Sequence, residues 1–323
     1  MILMTEISLL DNMIINCGKV SKDIADFIHE EVTQQGKKGV CIGISGGVDS
    51  AVATKLAVKA MGDPALVYGL HLFDRDSQKK FTEYAETLVE DSKINFDKID
   101  ISPLMKEKGI YKPGIMKIVP YSTKVNKLIL WGNKMGSRLF YGESPFVVTL
   151  KRRDPSKMKF GFVAKIAKHI ENGFNARHIQ RRRILEDYAD ENNLLLIGAA
   201  NRSESYVGWF VKDGVDDLPI EVLLPLYKNQ VRQLGKFLGV PDCIMNEAPS
   251  PDMFKGIGDE DVIGHKYEIV DKVAYVIENG LGENILLSEG IAEQEINHIK
   301  KLHELSFWKR ENEHKHPTLN LNA

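Results

Sequence analysis

Apolar residues recur along this chain at two different periods, and the alternation between them predicts its architecture. Ile7, Leu10, Met13 and Ile14, then Val20, Ile24, Phe27 and Ile28, fall three to four positions apart. That is one face of a helix over residues 5 to 34. Val40-Cys41-Ile42-Gly43-Ile44 is a short, mostly apolar run that reads as a buried strand, and Ala51 to Ala60 is helix-forming. Leu66 to Leu72 predicts a second strand, Gln78 to Asp91 a helix, and Phe96 to Ile101 a third strand. Strands alternating with helices predict an α/β fold with a doubly wound parallel sheet, whose ligands sit at the carboxyl ends of the strands.

The rhythm breaks between about residues 111 and 174. Tyr121, Trp131, Phe140, Tyr141, Phe146, Phe160 and Phe162 are scattered there among glycines and many Lys and Arg. Structureless loops of that length are uncommon inside compact domains, so an inserted subdomain or a long structured loop is expected. Afterwards Asn175 to Asn192 predicts a helix and Leu194 to Gly198 a buried strand. Tyr227 to Leu238 predicts a helix closed by Gly239. Residues 259 to 279 and 290 to 305 form a helical C-terminal section. Residues 1 to 323 therefore read as a single domain carrying an insertion.

Bulk composition narrows the functional classes. At 323 residues and a formal net charge of −2, the chain can bury a large core and has no global attraction to nucleic acid or membrane. No apolar run approaches the ~20 residues of a membrane span. Met1 to Glu6 lacks the basic segment and apolar core of a signal peptide. Cys17, Cys41 and Cys243 are too scattered for a disulfide framework or a zinc pattern. A reducing, cytoplasmic location is expected. One stretch departs from neutrality: residues 151 to 183 hold eleven Lys or Arg against Asp154 and Glu171. Such a run reads as a solvated face, a dock for an acidic or RNA partner, or a lid over a nucleotide site.

The chemistry concentrates in Gly43-Ile44-Ser45-Gly46-Gly47-Val48-Asp49-Ser50. This octet joins the first strand to the first helix of the sheet. Small residues there let backbone N–H groups approach an anion, and the helix start adds positive potential. It lacks the Gly-Lys-Ser/Thr ending of the Walker loop. Asp49 in its place suggests a pyrophosphate bridged by a metal.

The octet resembles the signature of the N-type ATP pyrophosphatases, or PP-loop enzymes, which split ATP into AMP and pyrophosphate. Further segments resemble the ammonia-dependent NAD synthase branch, whose adenine nucleotide alpha hydrolase-like fold this chain is then expected to share. They are Leu195 to Glu204, Gly208-Trp209-Phe210-Val211-Lys212, Leu224 to Arg232, Pro249 to Met253, Asp259-Glu260 with Gly264, Tyr267 and Asp271, and Glu313 to Pro317. The likeness runs in order over roughly residues 20 to 105 and 175 to 318.

The resemblance implies roles. Octet residues Gly43 to Ser50, with Ala199, Lys228 and Ser250, would bind ATP. Asp49 and Glu204 would hold Mg²⁺, a hard ion suited to carboxylate and phosphate oxygens. Lys228 would supply the positive charge the octet lacks. Arg181, Lys212, Asp217, His314 and Lys315 would contact a dinucleotide carboxylate. The reaction implied is amidation of deamido-NAD (nicotinic acid adenine dinucleotide) by ammonia through an acyl-adenylate, in a homodimer. No nitrilase or glutaminase segment is evident, so ammonia would come from solution or a separate glutaminase.

Three departures qualify the likeness. Gly198-Ala199 stands where the family has Gly-Thr. Lys212-Asp213-Gly214-Val215-Asp216-Asp217-Leu218-Pro219 replaces the family's Lys-Tyr-Gly-Asp-Gly-Gly-x-Asp with about three extra residues, leaving Asp216, Asp217 and Glu221 as rival substrate contacts. The third is the basic insertion. A PP-loop enzyme adenylating a different carboxylate, amide or tRNA base, and a nucleotide-binding regulator without turnover, are the competing readings.

Overall fold

The structure, a computed structural model, describes residues 9–111, 123–151, 161–250, 252 and 256–321. Four parallel strands lie at its centre in the order β3-β2-β1-β4. They are β1 (Val40–Gly43), β2 (Val67–Phe73), β3 (Asn95–Asp100) and β4 (Leu195–Ile197). β1 pairs Val40 with Val67 on one side and with Leu195 on the other. β2 and β3 pair from Tyr68–Asn95 to Phe73–Asp100.

Helix α1 (Cys17–Gln34) precedes β1, and α2 (Val48–Met61), α3 (Lys79–Ser92) and α4 (Ser102–Glu107) follow β1, β2 and β3 in turn. The insertion holds α5 (Thr123–Tyr141), α6 (Pro145–Leu150) and the first half of α7 (Gly161–Glu191). Beyond β4 come α8 (Arg202–Val207), α9 (Lys228–Phe237), α10 (Asp242–Met245), α11 (Asp259–Ile263), α12 (Tyr267–Glu278), α13 (Asn284–Ser288) and α14 (Glu293–Leu305).

Strand alternation distributes the core over both sheet faces. Val40, Ile42 and Ile44 join the apolar faces of α1, α2 and α9 in one cluster, which includes Val20, Ile24, Ile28, Leu56 and Val231. Cys41, Leu70 and Leu72 point the other way, toward Met105 of α4 and Leu185 and Ala189 of α7. A third cluster joins α6, α8, α12 and α14 through Val147, Val207, Val273 and Ile299. The parallel sheet flanked by helices is the α/β arrangement expected.

Several boundaries differ from those expected. The first helix begins at Cys17, because the Asn16 side chain accepts from Lys19 N–H at 3.1 Å and caps it there. Only a single 3₁₀ turn, Asp11–Met13, precedes it, and residues 1 to 8 lie outside the described region. The helix expected from Asn175 starts 14 residues earlier, at Gly161. The helical section expected over 259–279 consists of two helices, parted after Ile263, where Gly264 takes φ +89°. That left-handed conformation ends a helix without steric penalty only in glycine.

Candidate active site

The chain reverses its winding direction between β1 and β4, since α2 leads outward to β2 and β3 while β4 adds on the opposite side. At such a point the loops after two adjacent strands part and leave a crevice. The octet leaves β1 there, and Gly198 to Glu204 leave β4. A cavity of about 500 Å³ opens over them.

The octet is tied in place by its own serines. Ser45 N–H donates to Ser50 Oγ at 3.2 Å, Gly47 N–H donates to Ser45 Oγ at 3.1 Å, and the Ser50 hydroxyl donates to Gly47 O at 3.1 Å. Gly46 takes φ +82°, and a Cβ there would lie 2.3 Å from Phe81 O. Only glycine fits. His71 on β2, buried at 2% exposure, anchors the loop from behind. Its Nδ1 lies 2.8 Å from Ile44 O and its Nε2 lies 2.9 Å from Thr82 Oγ1. Burial lowers the His71 pKa, so the neutral ring donates to the carbonyl and accepts from the hydroxyl.

Asp49 sits in the first turn of α2 and meets two residues from beyond β4. Lys228 Nζ donates to Asp49 Oδ2 at 2.6 Å and to Glu204 Oε1 at 3.0 Å. Asn201 Nδ2 donates to Asp49 Oδ1 at 3.0 Å. Asn201 and Glu204 also form the capping box that starts α8, so the helix start fixes Glu204 in position. Lys228 opens α9, where its backbone N–H donates to Ser203 Oγ at 2.8 Å. Ser203 in turn donates to Asp271, which also accepts from Asn229 N–H at 2.8 Å. The Lys228 ammonium lies 4.9 Å from the Tyr267 ring centroid, and the Tyr267 hydroxyl donates to Asp259 Oδ2 at 3.3 Å.

Charge in this cluster is strongly perturbed. Burial alone would lower the Lys228 pKa, but the Asp49 and Glu204 charges overcome it and raise it. Burial, reinforced by the Asp49 charge, raises Glu204. Burial likewise pushes Asp259 and Asp271 each up to about 6. Shifts of this kind gathered in a cleft mark a functional site.

Of the residues expected to bind ATP, Gly43, Ile44, Ser45, Gly47, Val48, Asp49, Ser50, Ala199, Lys228 and Ser250 line the cavity, whereas Gly46 does not. Glu204 and Arg181 line it too, and Arg181 Nε donates to Leu72 O at 3.1 Å. The remaining expected substrate contacts are elsewhere. Lys212 Nζ is held by Trp308 O and Glu311 at 2.9 and 2.7 Å. Lys315 pairs with Glu31 at 3.0 Å. Asp217 and His314, 3.1 Å apart, border a second cavity of about 230 Å³. Among the three rival acids, Asp216 lines the main cavity, while Glu221 is buried and accepts from Leu218 N–H and Ala200 N–H at 2.8 and 2.7 Å.

The sequence reading assigned no role to Asn201, Ser203, His71, Asp259, Tyr267 or Asp271. The spacing Asn201-x-x-Glu204 is a helix-start signal readable in the sequence. The His71 contact joins two strands and has no local signature.

The arrangement has counterparts in known proteins. The family model described as NAD synthase matches residues 20–118 and 156–313. This chain belongs to the NAD synthase family. The NH(3)-dependent NAD(+) synthetase of Coprothermobacter proteolyticus is 34% identical over 286 residues, 86% of this chain and 92% of that protein. That of Thermotoga maritima is 28% identical over 290 residues, 89% and 95% of the two chains. Among solved structures, an NMN synthetase from Francisella tularensis matches with a TM-score of 0.65 and 25% identity, over 92% of this chain and 97% of that one. Membership brings with it the family's ligase chemistry and its use of ATP. Among the described residues no helix is long and apolar enough to cross a membrane.

The basic run of this family member is partly consumed internally. Arg177, 1% exposed, bonds Asp74 at 2.5 Å and also Asp76. Arg182 bonds Glu186, and Lys151 bonds Glu143. Residues 152–160 lie outside the described region.

Proposed function

We propose that this protein makes NAD from nicotinic acid adenine dinucleotide, ATP and ammonia, releasing AMP and pyrophosphate. The observation that carries the reading is the meeting of Asp49, Glu204 and Lys228 beside the octet, at the mouth of β1 and β4 in a NAD synthase-family chain. The start of α2, whose first N–H groups have no intrahelical acceptor, and the small residues of the octet suit the phosphates of ATP. Lys228 adds a point charge for the leaving pyrophosphate. The substrate carboxylate attacks the α-phosphorus, and ammonia then displaces AMP from the acyl-adenylate. Adenylation divides one difficult amide synthesis into two easier steps. Holding both reactants in one cavity and placing fixed donors against developing charge supply the rate.

Asp49 and Glu204 fit Mg²⁺. Their oxygens already converge on one cationic point, the Lys228 ammonium, and both are hard donors. When bound, the ion would neutralise phosphate charge. Ser250 and Ala199 would border the nucleotide, with Arg181 and Asp216 toward the acyl substrate. Lys212, Asp217, His314 and Lys315 would act on the substrate only after rearrangement of their present partners. The working unit in this reading is a cytoplasmic homodimer of one-domain chains, with α5 and α6 of the insertion beside the cavity. Ammonia would arrive from solution or from a separate glutaminase.

Purified protein given ATP, Mg²⁺, ammonium and deamido-NAD should release AMP, pyrophosphate and NAD in equal amounts. Pyrophosphate release without NAD would refute the acyl substrate. The likeness to a protein described as an NMN synthetase makes nicotinic acid mononucleotide the second substrate to supply. Faster amidation of it than of the dinucleotide would replace this reading.

A further inference from the structure

Helix α5 is built inside out. Asn126, Leu130, Asn133 and Ser137 recur at intervals of four, three and four, and all four line the main cavity. Asn126 and Ser137 are only 2% and 4% exposed. The opposite face carries Leu128, Trp131, Met135 and Leu139, each more than half exposed. A helix packed for stability alone turns its apolar stripe to the core and its polar stripe to water. Here three of the four described side chains that α5 turns to the cavity are polar. Burying a hydroxyl or carboxamide without a partner is costly, yet the Ser137 hydroxyl has no hydrogen-bond partner among the described residues.

Position adds a second argument. The family match stops at residue 118 and resumes at 156, so α5 and α6 lie outside the matched ranges. α5 packs on α6. Phe146 of α6 meets Trp209 edge-on at 5.5 Å, and Trp209 lies 5.9 Å from Phe174 of α7. Among the described residues the insertion thus gives the cavity aromatic rings, uncharged hydrogen-bonding groups and one acid, Glu171, but no cation. The groups assigned above to phosphate, the octet and Lys228, come instead from the β1–α2 turn and the start of α9.

We propose that the inner face of α5, through Asn133 and Ser137, is a specificity wall that hydrogen-bonds the neutral part of the acyl substrate, the sugar hydroxyls or base of a nucleoside. Carboxamides and a hydroxyl match hydroxyl and amide groups, whereas phosphate would call for cations. The proposal rests on the reading of the reaction given above and names the part of the substrate that the insertion holds.

The test compares wild type with Ser137→Ala and with the double variant Asn133→Leu/Ser137→Ala. Two measurements are made with deamido-NAD: steady-state kinetics at saturating ATP, and binding by titration calorimetry without ATP. The double variant should raise KM and Kd for deamido-NAD about tenfold or more, with kcat and the KM for ATP within about twofold. Ser137→Ala should move the same constants in the same direction by less, with an unchanged melting temperature. If wild type turns over deamido-NAD and the variants retain its KM, the wall is overturned and the reaction stands. If wild type binds without turnover and the variants lose binding, the reaction falls and the wall stands. A raised KM for ATP alone, or no binding by wild type, overturns the wall.

Discussion

Replacing Lys228 by Met removes the cation from between Asp49 and Glu204 while keeping an aliphatic stem of similar length. The Lys228, Asp49 and Glu204 side chains are 4%, 20% and 15% exposed, so water screens the loss poorly. Breaking a buried ion pair by removing one partner costs about 3–5 kcal/mol. Unfolding entropy of about 2.1 cal/mol/K per residue, over 323 residues, converts that cost into a fall of about 4 to 7 °C in melting temperature. The assay is calorimetric melting in chelator, then with added Mg²⁺. A divalent ion at 100 times its Kd should restore about 2.7 kcal/mol, because it occupies the place the ammonium left. Lowering the pH should also recover stability, since Glu204, already raised by burial and by Asp49, protonates and ends the repulsion. A variant melting within 1 °C of wild type in chelator would refute the assignment of Lys228 as the counter-ion of this pair.

Three further outcomes follow from the geometry. Gly46→Ala forces a Cβ to 2.3 Å from Phe81 O at φ +82°, so ATP affinity should fall by about tenfold or more, whereas Gly47→Ala, whose Cβ meets only Ser45 Oγ at 3.3 Å, should melt like wild type. Calorimetric titration with ATP and a melting curve separate the two. Arg177→Met takes its guanidinium partner from buried Asp74 and leaves Asp76 only Arg75, at 3.0 Å, and should cost about 3–5 kcal/mol by urea unfolding; a loss under 1 kcal/mol would contradict the burial seen here. The Asp217 hydrogen bond raises the His314 pKa against the opposing effect of burial. Its contribution is therefore full below the ordinary imidazole value of about 6.5 and is lost as pH rises through the higher folded value. Melting temperatures should decline over that window in wild type and stay flatter in His314→Gln.

The sequence alone determined the parallel α/β sheet, because buried strands and amphipathic helices carry their periods in local residue order. It also placed the octet, since a strand, a run of small residues and a helix start must be contiguous to make an anion site. Asp49, Glu204 and Lys228 were each legible as members of a family pattern. Their meeting at one ammonium was not, because 179 residues separate Asp49 from Lys228 and only the crossover between β1 and β4 closes that distance. Tertiary structure likewise decided that Lys212 and Lys315 spend their charges on Glu311 and Glu31, that Asp216 rather than Asp217 faces the main cavity, and that α5 turns its polar side inward. Charge partners and helix orientation are set by what packs opposite, and that information lies far away in the chain.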